Sequence, residues 1–110
     1  MGLASTLLLL LLAALMEAGG DALVRSGLHA SGAFVKTLFL FAGGAILFGY
    51  GCVVNAPPWQ FGRVIGVYVV FFFLVAQAIA WLGFHEKPTM PLVVGGGLIV
   101  AGGLVLSLSR

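Results

Sequence analysis

Leu7-Leu8-Leu9-Leu10-Leu11-Leu12-Ala13-Ala14-Leu15-Met16-Glu17-Ala18-Gly19-Gly20-Asp21-Ala22-Leu23-Val24-Arg25 decides the fold of this chain. A leucine run passes into small and apolar residues, and only Glu17 and Asp21 bring charge into it before Arg25. About 20 residues of this kind cross about 30 Å of hydrocarbon as a helix. A carboxylate at membrane depth costs about 2.5–3.5 kcal/mol on insertion scales. In a chain that is only 7% charged, that penalty makes Glu17 the first functional-site candidate.

The rest of the chain has the same character. Its 110 residues are 62% hydrophobic and the mean hydropathy is +1.23, values of the membrane class. The length suits one domain over residues 1–110, in which lipid is the solvent and the core consists of helix–helix contact. The formal charge of +2 is small and scattered, and no basic stripe points to nucleic acid. Cys52 is the single cysteine; it has no intrachain partner and reads as a small packing residue. No Lys or Arg precedes Leu7 and no cleavage site follows the apolar run, so a retained helix is expected rather than a secretory signal.

Four apolar stretches follow one another, at about residues 3–24, 33–54, 61–84 and 89–108. The breaks hold Arg25 to Gly32, then Asn55-Ala56-Pro57-Pro58, then His85-Glu86-Lys87-Pro88. Proline falls at breaks, where a missing N–H matters least. The expected fold is all-α: four transmembrane helices joined by tight loops, assembled as an antiparallel homodimer. Arg25, Lys36 and Lys87 lie on one side of the membrane in this topology, Arg63 and Arg110 on the other. That bias is weak enough to permit insertion either way up. If Arg63 belongs to the third helix, the count instead favours a fixed topology with both termini outside.

Residues four apart share a helix face, so Glu17, Asp21 and Arg25 form one polar stripe. With the first helix centred near residue 13 or 14, Glu17 falls about 5 Å past the midplane, Asp21 about 11 Å, and Arg25 near the interface. A carboxyl at the depth of Glu17 can hold a proton or trade it for a cation. The alternative is a neutral Glu17 that hydrogen-bonds a neighbouring helix and sets packing. For Asp21 the readings are an i,i+4 ion pair with Arg25 or a second proton or cation ligand. Arg63 either snorkels to the headgroups beside Trp59 or turns inward as a charge partner for a carboxylate.

The chain resembles the small multidrug resistance transporters, four-helix proteins of about this length. The likeness rests on the lone embedded Glu17 with Gly20 and Arg25 beyond it. It also rests on Gly95-Gly96-Gly97-Leu98-Ile99-Val100-Ala101-Gly102-Gly103, and weakly on the ending Leu106-Ser107-Leu108-Ser109-Arg110. The third stretch departs from it, with Phe71-Phe72-Phe73 where those transporters carry a Tyr and a Trp. Gly62-Arg63-Val64, Val67-Tyr68-Val69 and Trp81-Leu82 look more like the YnfA-like family, a related group of small four-helix proteins. The resemblance implies an integral protein of the bacterial inner membrane that exchanges protons for small, cationic solutes. Two Glu17 carboxyls would face one cavity of a dimer and titrate as a coupled pair. It also implies Tyr68 as a hydrogen-bond donor to Glu17, and a dimer seam at Gly95, Ala101 and Gly102.

His29 and His85 stand in breaks apart from other ligand types, so no metal is expected. No nucleophile–base pair or phosphate loop occurs; neither an enzyme nor a cofactor is expected. The expected partners are the bilayer, a second copy, protons and a small solute. The competing reading is a non-transporting subunit or structural dimer of a larger membrane complex, with Phe71-Phe72-Phe73 as its partner-facing surface.

Overall fold

Four helices account for most of residues 2–108, the part of the chain that the computed structural model describes. They are α1 (Leu3–Leu28), α2 (Ala33–Val54), α3 (Phe61–Phe84) and α4 (Met90–Leu108). All four are long and apolar enough to cross a membrane. Ser109 and Arg110 lie outside the described residues, and with them the end of the 106–110 likeness and one cation of the orientation count.

The spans of α2 and α3 agree with the hydropathy pattern, whereas α1 and α4 differ at one end each. α1 continues from residue 24 to Leu28, because Gly27, the residue most apt to break it, is held by packing. A Cβ there would stand 3.0 Å from Cβ of Phe39 on α2, and tertiary contact overrides weak local propensity. The longer helix is centred between residues 15 and 16, which brings Glu17 to about 2 Å from its middle. α4 starts at Met90 because Thr89 is its N-cap, its hydroxyl accepting from the Leu92 N–H at 3.4 Å. Pro91 then falls in the first turn, where its missing N–H leaves no hydrogen bond unmade.

Glycines decide which helices touch. α1 and α2 share the most extensive interface, crossing where Gly20 meets Gly43. A Cβ on Gly43 would lie 2.8 Å from both the Gly20 carbonyl oxygen and Val24 Cγ2. In lipid, such close backbone approach supplies the dispersion contacts that hold helices together. α3 packs on the other side of α1, over the small side chains of Ala13 and Ala14, which are fully buried. α4 approaches α3 alone among the described residues, with Phe73 over Gly96, Val70 over Gly103 and Leu106 over Gly66. The outer faces carry large apolar groups; Phe34, Phe41 and Phe48, seven apart on α2, are each more than three-quarters exposed.

The phenylalanine run is half-buried within the protomer. Phe73 fills the space over Gly96, Phe72 stacks on Tyr68 and Phe71 packs against the buried cluster. α3 lies between α1 and α4, so each of these side chains meets a neighbour within the protomer and keeps part of its surface outside.

α4 has two glycine rows with different uses. Gly96 and Gly103 face α3, while a Cβ at Gly95 or Gly102 would meet nothing within 4 Å, and Ala101 is exposed. Gly102→Leu therefore leaves the protomer intact. If the outer row is the seam between two copies, the same change should convert dimers to monomers in single-molecule bleaching. Unchanged dimers would exclude that seam.

Candidate functional site

Glu17 is half-buried on α1 and turned toward α3. The hydroxyl of Tyr68, itself 3% exposed, donates to Glu17 Oε1 at 2.5 Å. The same hydroxyl lies 3.4 Å from the Ala13 carbonyl oxygen, one turn earlier on α1. Both contacts depend on Ala13 and Ala14, since larger side chains there would hold α3 away from α1.

Two further aromatic rings complete this cluster. Phe72, one turn along α3, stacks on Tyr68 with ring centroids 6.2 Å apart. Tyr50 of α2 lies 5.6 Å from Tyr68 at an interplanar angle of 34°, within electrostatic reach of Glu17. Gly49 permits this approach, because Met16 of α1 occupies the space where a Cβ would be, 2.9 Å away. Three helices thus converge on one carboxyl near the middle of α1.

The polar stripe of α1 divides at this level. Asp21 and Arg25 do not follow Glu17 toward Tyr68. They line an adjoining cavity of about 200 Å³ between α1 and α3, which Phe72, Phe84 and Glu86 also border. Arg25 places its guanidinium 5.5 Å from the centre of the Phe84 ring. No Asp21–Arg25 ion pair forms among the described residues, so the cation–π contact replaces the i,i+4 pair that their spacing suggests. Phe72 touches both the cavity and Tyr68, and so joins the charged mouth to the half-buried carboxyl of Glu17.

Glu86 reaches the cavity through the way α3 ends. His85 takes a left-handed conformation, φ 59°, and the Glu86 N–H bonds back to the Ala80 carbonyl at 2.9 Å. This is a helix C-terminal motif that glycine normally serves. Its product is a chain reversal that returns Glu86 toward the helix it has just left. The sequence carries no local signal for this, because a His in the glycine position does not announce a left-handed turn.

Arg63 lies at the other end of the protomer. Its guanidinium stacks on Trp59 at 4.1 Å, while Nε donates to the Leu106 carbonyl at 3.3 Å and Nη2 to that of Ser107 at 3.2 Å. It caps the C-terminal end of α4, where a cation is favoured by the helix dipole. Within the protomer, the structure does not bring it to Glu17 or Asp21.

No family model matches the chain, and no solved structure does. The chain is 35% identical over 101 residues to a UPF0060 membrane protein of Herpetosiphon aurantiacus, an alignment covering 89% of this chain and 88% of that protein.

Proposed function

From a chain that belongs to the UPF0060 family of membrane proteins, the YnfA-like group, we propose a proton-coupled exporter of small cationic solutes. It is related to the small multidrug resistance transporters and works as an antiparallel homodimer in the bacterial inner membrane. The observation that carries the reading is the 2.5 Å contact between Tyr68 and Glu17 near the middle of α1, beside a cavity with acidic residues at its rim.

The geometry suits a carboxyl that changes protonation state. As a carboxylate, Glu17 accepts a hydrogen bond from the Tyr68 hydroxyl. As a neutral acid it donates its own proton to Tyr68 Oη, and the Tyr68 hydroxyl turns to the Ala13 carbonyl. Either state keeps a hydrogen bond, so neither leaves a buried polar group unsatisfied. A cation that binds the carboxylate takes the place of the proton, and this mutual exclusion is the basis of antiport. Asp21 serves as the cation ligand nearer the mouth. Arg25, engaged by Phe84, leaves the Asp21 carboxylate available to a solute.

Purified protein in liposomes should drive uptake of one or more members of a cation panel when a pH gradient is imposed. Collapse of the gradient should stop that uptake. Absence of flux with every cation, together with stable co-purification of another membrane protein, would favour the subunit reading. Tyr68→Phe keeps the ring stacking and removes the hydroxyl. A hydrogen bond to a charged group contributes about 1.5–3 kcal/mol, so flux should fall about 10- to 100-fold. Circular dichroism of the variant should match the wild type. Unchanged flux would remove Tyr68 from the site.

A further inference from the structure

We propose that the groove between α1 and α4 holds one acyl chain of an anionic phospholipid, whose phosphate is bound by Arg63. Because α4 approaches α3 alone among the described residues, a gap of about 190 Å³ opens over α3 and is bounded by α1 on its far side. Leu3 and Leu7 of α1, Val67 and Phe71 of α3, and Val100 and Leu104 of α4 line it. From Val100 to Leu108 the groove follows about 12 Å of helix at 1.5 Å per residue, the reach of a substantial part of an acyl chain. Its walls are almost wholly apolar, so water gains nothing there.

Arg63 stands at the head of this groove. It precedes Val67, Val70 and Phe71 by four, seven and eight residues, the positions of one helix face. All three line the groove. Ser107, whose carbonyl accepts from Arg63, lines it as well. A guanidinium has five N–H donors, and two of them go to the Leu106 and Ser107 carbonyls. The group therefore keeps donors for a bidentate phosphate, the geometry arginine favours. Trp59 fixes its plane at 4.1 Å and places it at the depth of an interfacial aromatic belt.

Charge selects the headgroup. The chain has three acidic residues, Glu17, Asp21 and Glu86. Glu17 lies at mid-depth, while Asp21 and Glu86 border the cavity at the opposite end of α3. Among the described residues, no side-chain carboxylate lies at the Arg63 end to receive the ammonium of a zwitterionic lipid. A phosphate without an attached cation is the complement of this end, which favours an anionic phospholipid over phosphatidylcholine.

The test is lipid retention by the intact protein. Protein is reconstituted in equimolar phosphatidylglycerol and phosphatidylcholine of identical acyl chains, extracted in mild detergent, and its bound lipid counted by native mass spectrometry. The wild type should retain phosphatidylglycerol about fivefold over phosphatidylcholine, the preference that one interfacial cation gives. Arg63→Gln should return the ratio to that of the vesicle. Arg63→Lys keeps the charge without the planar fork and should retain most of the preference, which separates lipid binding from closure of α4. Leu104→Trp, placed where the side chain is 57% exposed at the groove, should reduce retention of both lipids. A wild-type ratio equal to the bulk, or a preference that survives Arg63→Gln, would overturn the proposal. So would Leu104→Trp protein that keeps its lipid and instead loses self-association, since a second copy would then be the occupant.

Discussion

Glu17→Gln should reduce pH-driven cation flux to the leak of protein-free liposomes while leaving the helices in place. Gln has the shape of Glu, and its amide oxygen accepts from the Tyr68 hydroxyl as the carboxylate oxygen does at 2.5 Å. The packing of α1 on α3 is therefore retained. What is lost is the ability to release and rebind a proton, and with it the exchange of proton for cation. Circular dichroism of the variant should therefore match the wild type. Full flux in Glu17→Gln would place the coupling carboxyl elsewhere, with Asp21 the next residue to test.

The second large effect concerns stability, at adjacent glycines with opposite outcomes. A Cβ at Gly43 would meet the Gly20 carbonyl oxygen and Val24 Cγ2, both at 2.8 Å. The first of these is backbone and cannot move aside. Gly43→Ala should cost about 1–3 kcal/mol through overpacking, and Gly43→Ile should prevent α1 and α2 from docking. A Cβ at Gly44 would meet nothing within 4 Å. Gly44→Ala should then be neutral or stabilise by up to about 1 kcal/mol, the helix-propensity difference between the two residues. Thermal unfolding in detergent, followed by circular dichroism, reads both. Equal effects at positions 43 and 44 would contradict the crossing at Gly20 and Gly43.

This contrast also indicates what a single sequence discloses in a membrane protein. The four spans were legible because about 20 apolar residues in succession, broken by proline and polar groups, have few other readings. Glu17 was legible because charge is scarce in this chain. The faces of the helices were much less so. In a soluble helix the apolar stripe marks the core, but here nearly every side chain is apolar and the periodicity carries little information. Small residues become the signal instead, and adjacent glycines compete for it. Gly95 and Gly96, or Gly43 and Gly44, are equivalent in the sequence and opposite in space.

Residue pairs within one element were readable only in part. Glu17, Asp21 and Arg25 share a helix face by spacing, yet Phe84 draws Arg25 away and Tyr68 takes Glu17. Those competing partners are about 60 and 50 residues distant along the chain, and spacing on one helix does not reveal them. Tyr50 and Glu86 enter through Gly49 and through a left-handed turn at His85. Arg63 carried two open readings, interfacial or inward, and its bonds to the end of α4 come from chain segments 43 and 44 residues apart.

The most direct test of proton exchange at Glu17 is proton release on solute binding. Weakly buffered, detergent-solubilised protein is mixed with a saturating amount of a cation that it transports, and the pH change is recorded. The wild type should acidify the solution, Tyr68→Phe should do so with altered affinity, and Glu17→Gln should release nothing. Cation binding without proton release in the wild type, or release undiminished in Glu17→Gln, would contradict proton exchange at Glu17.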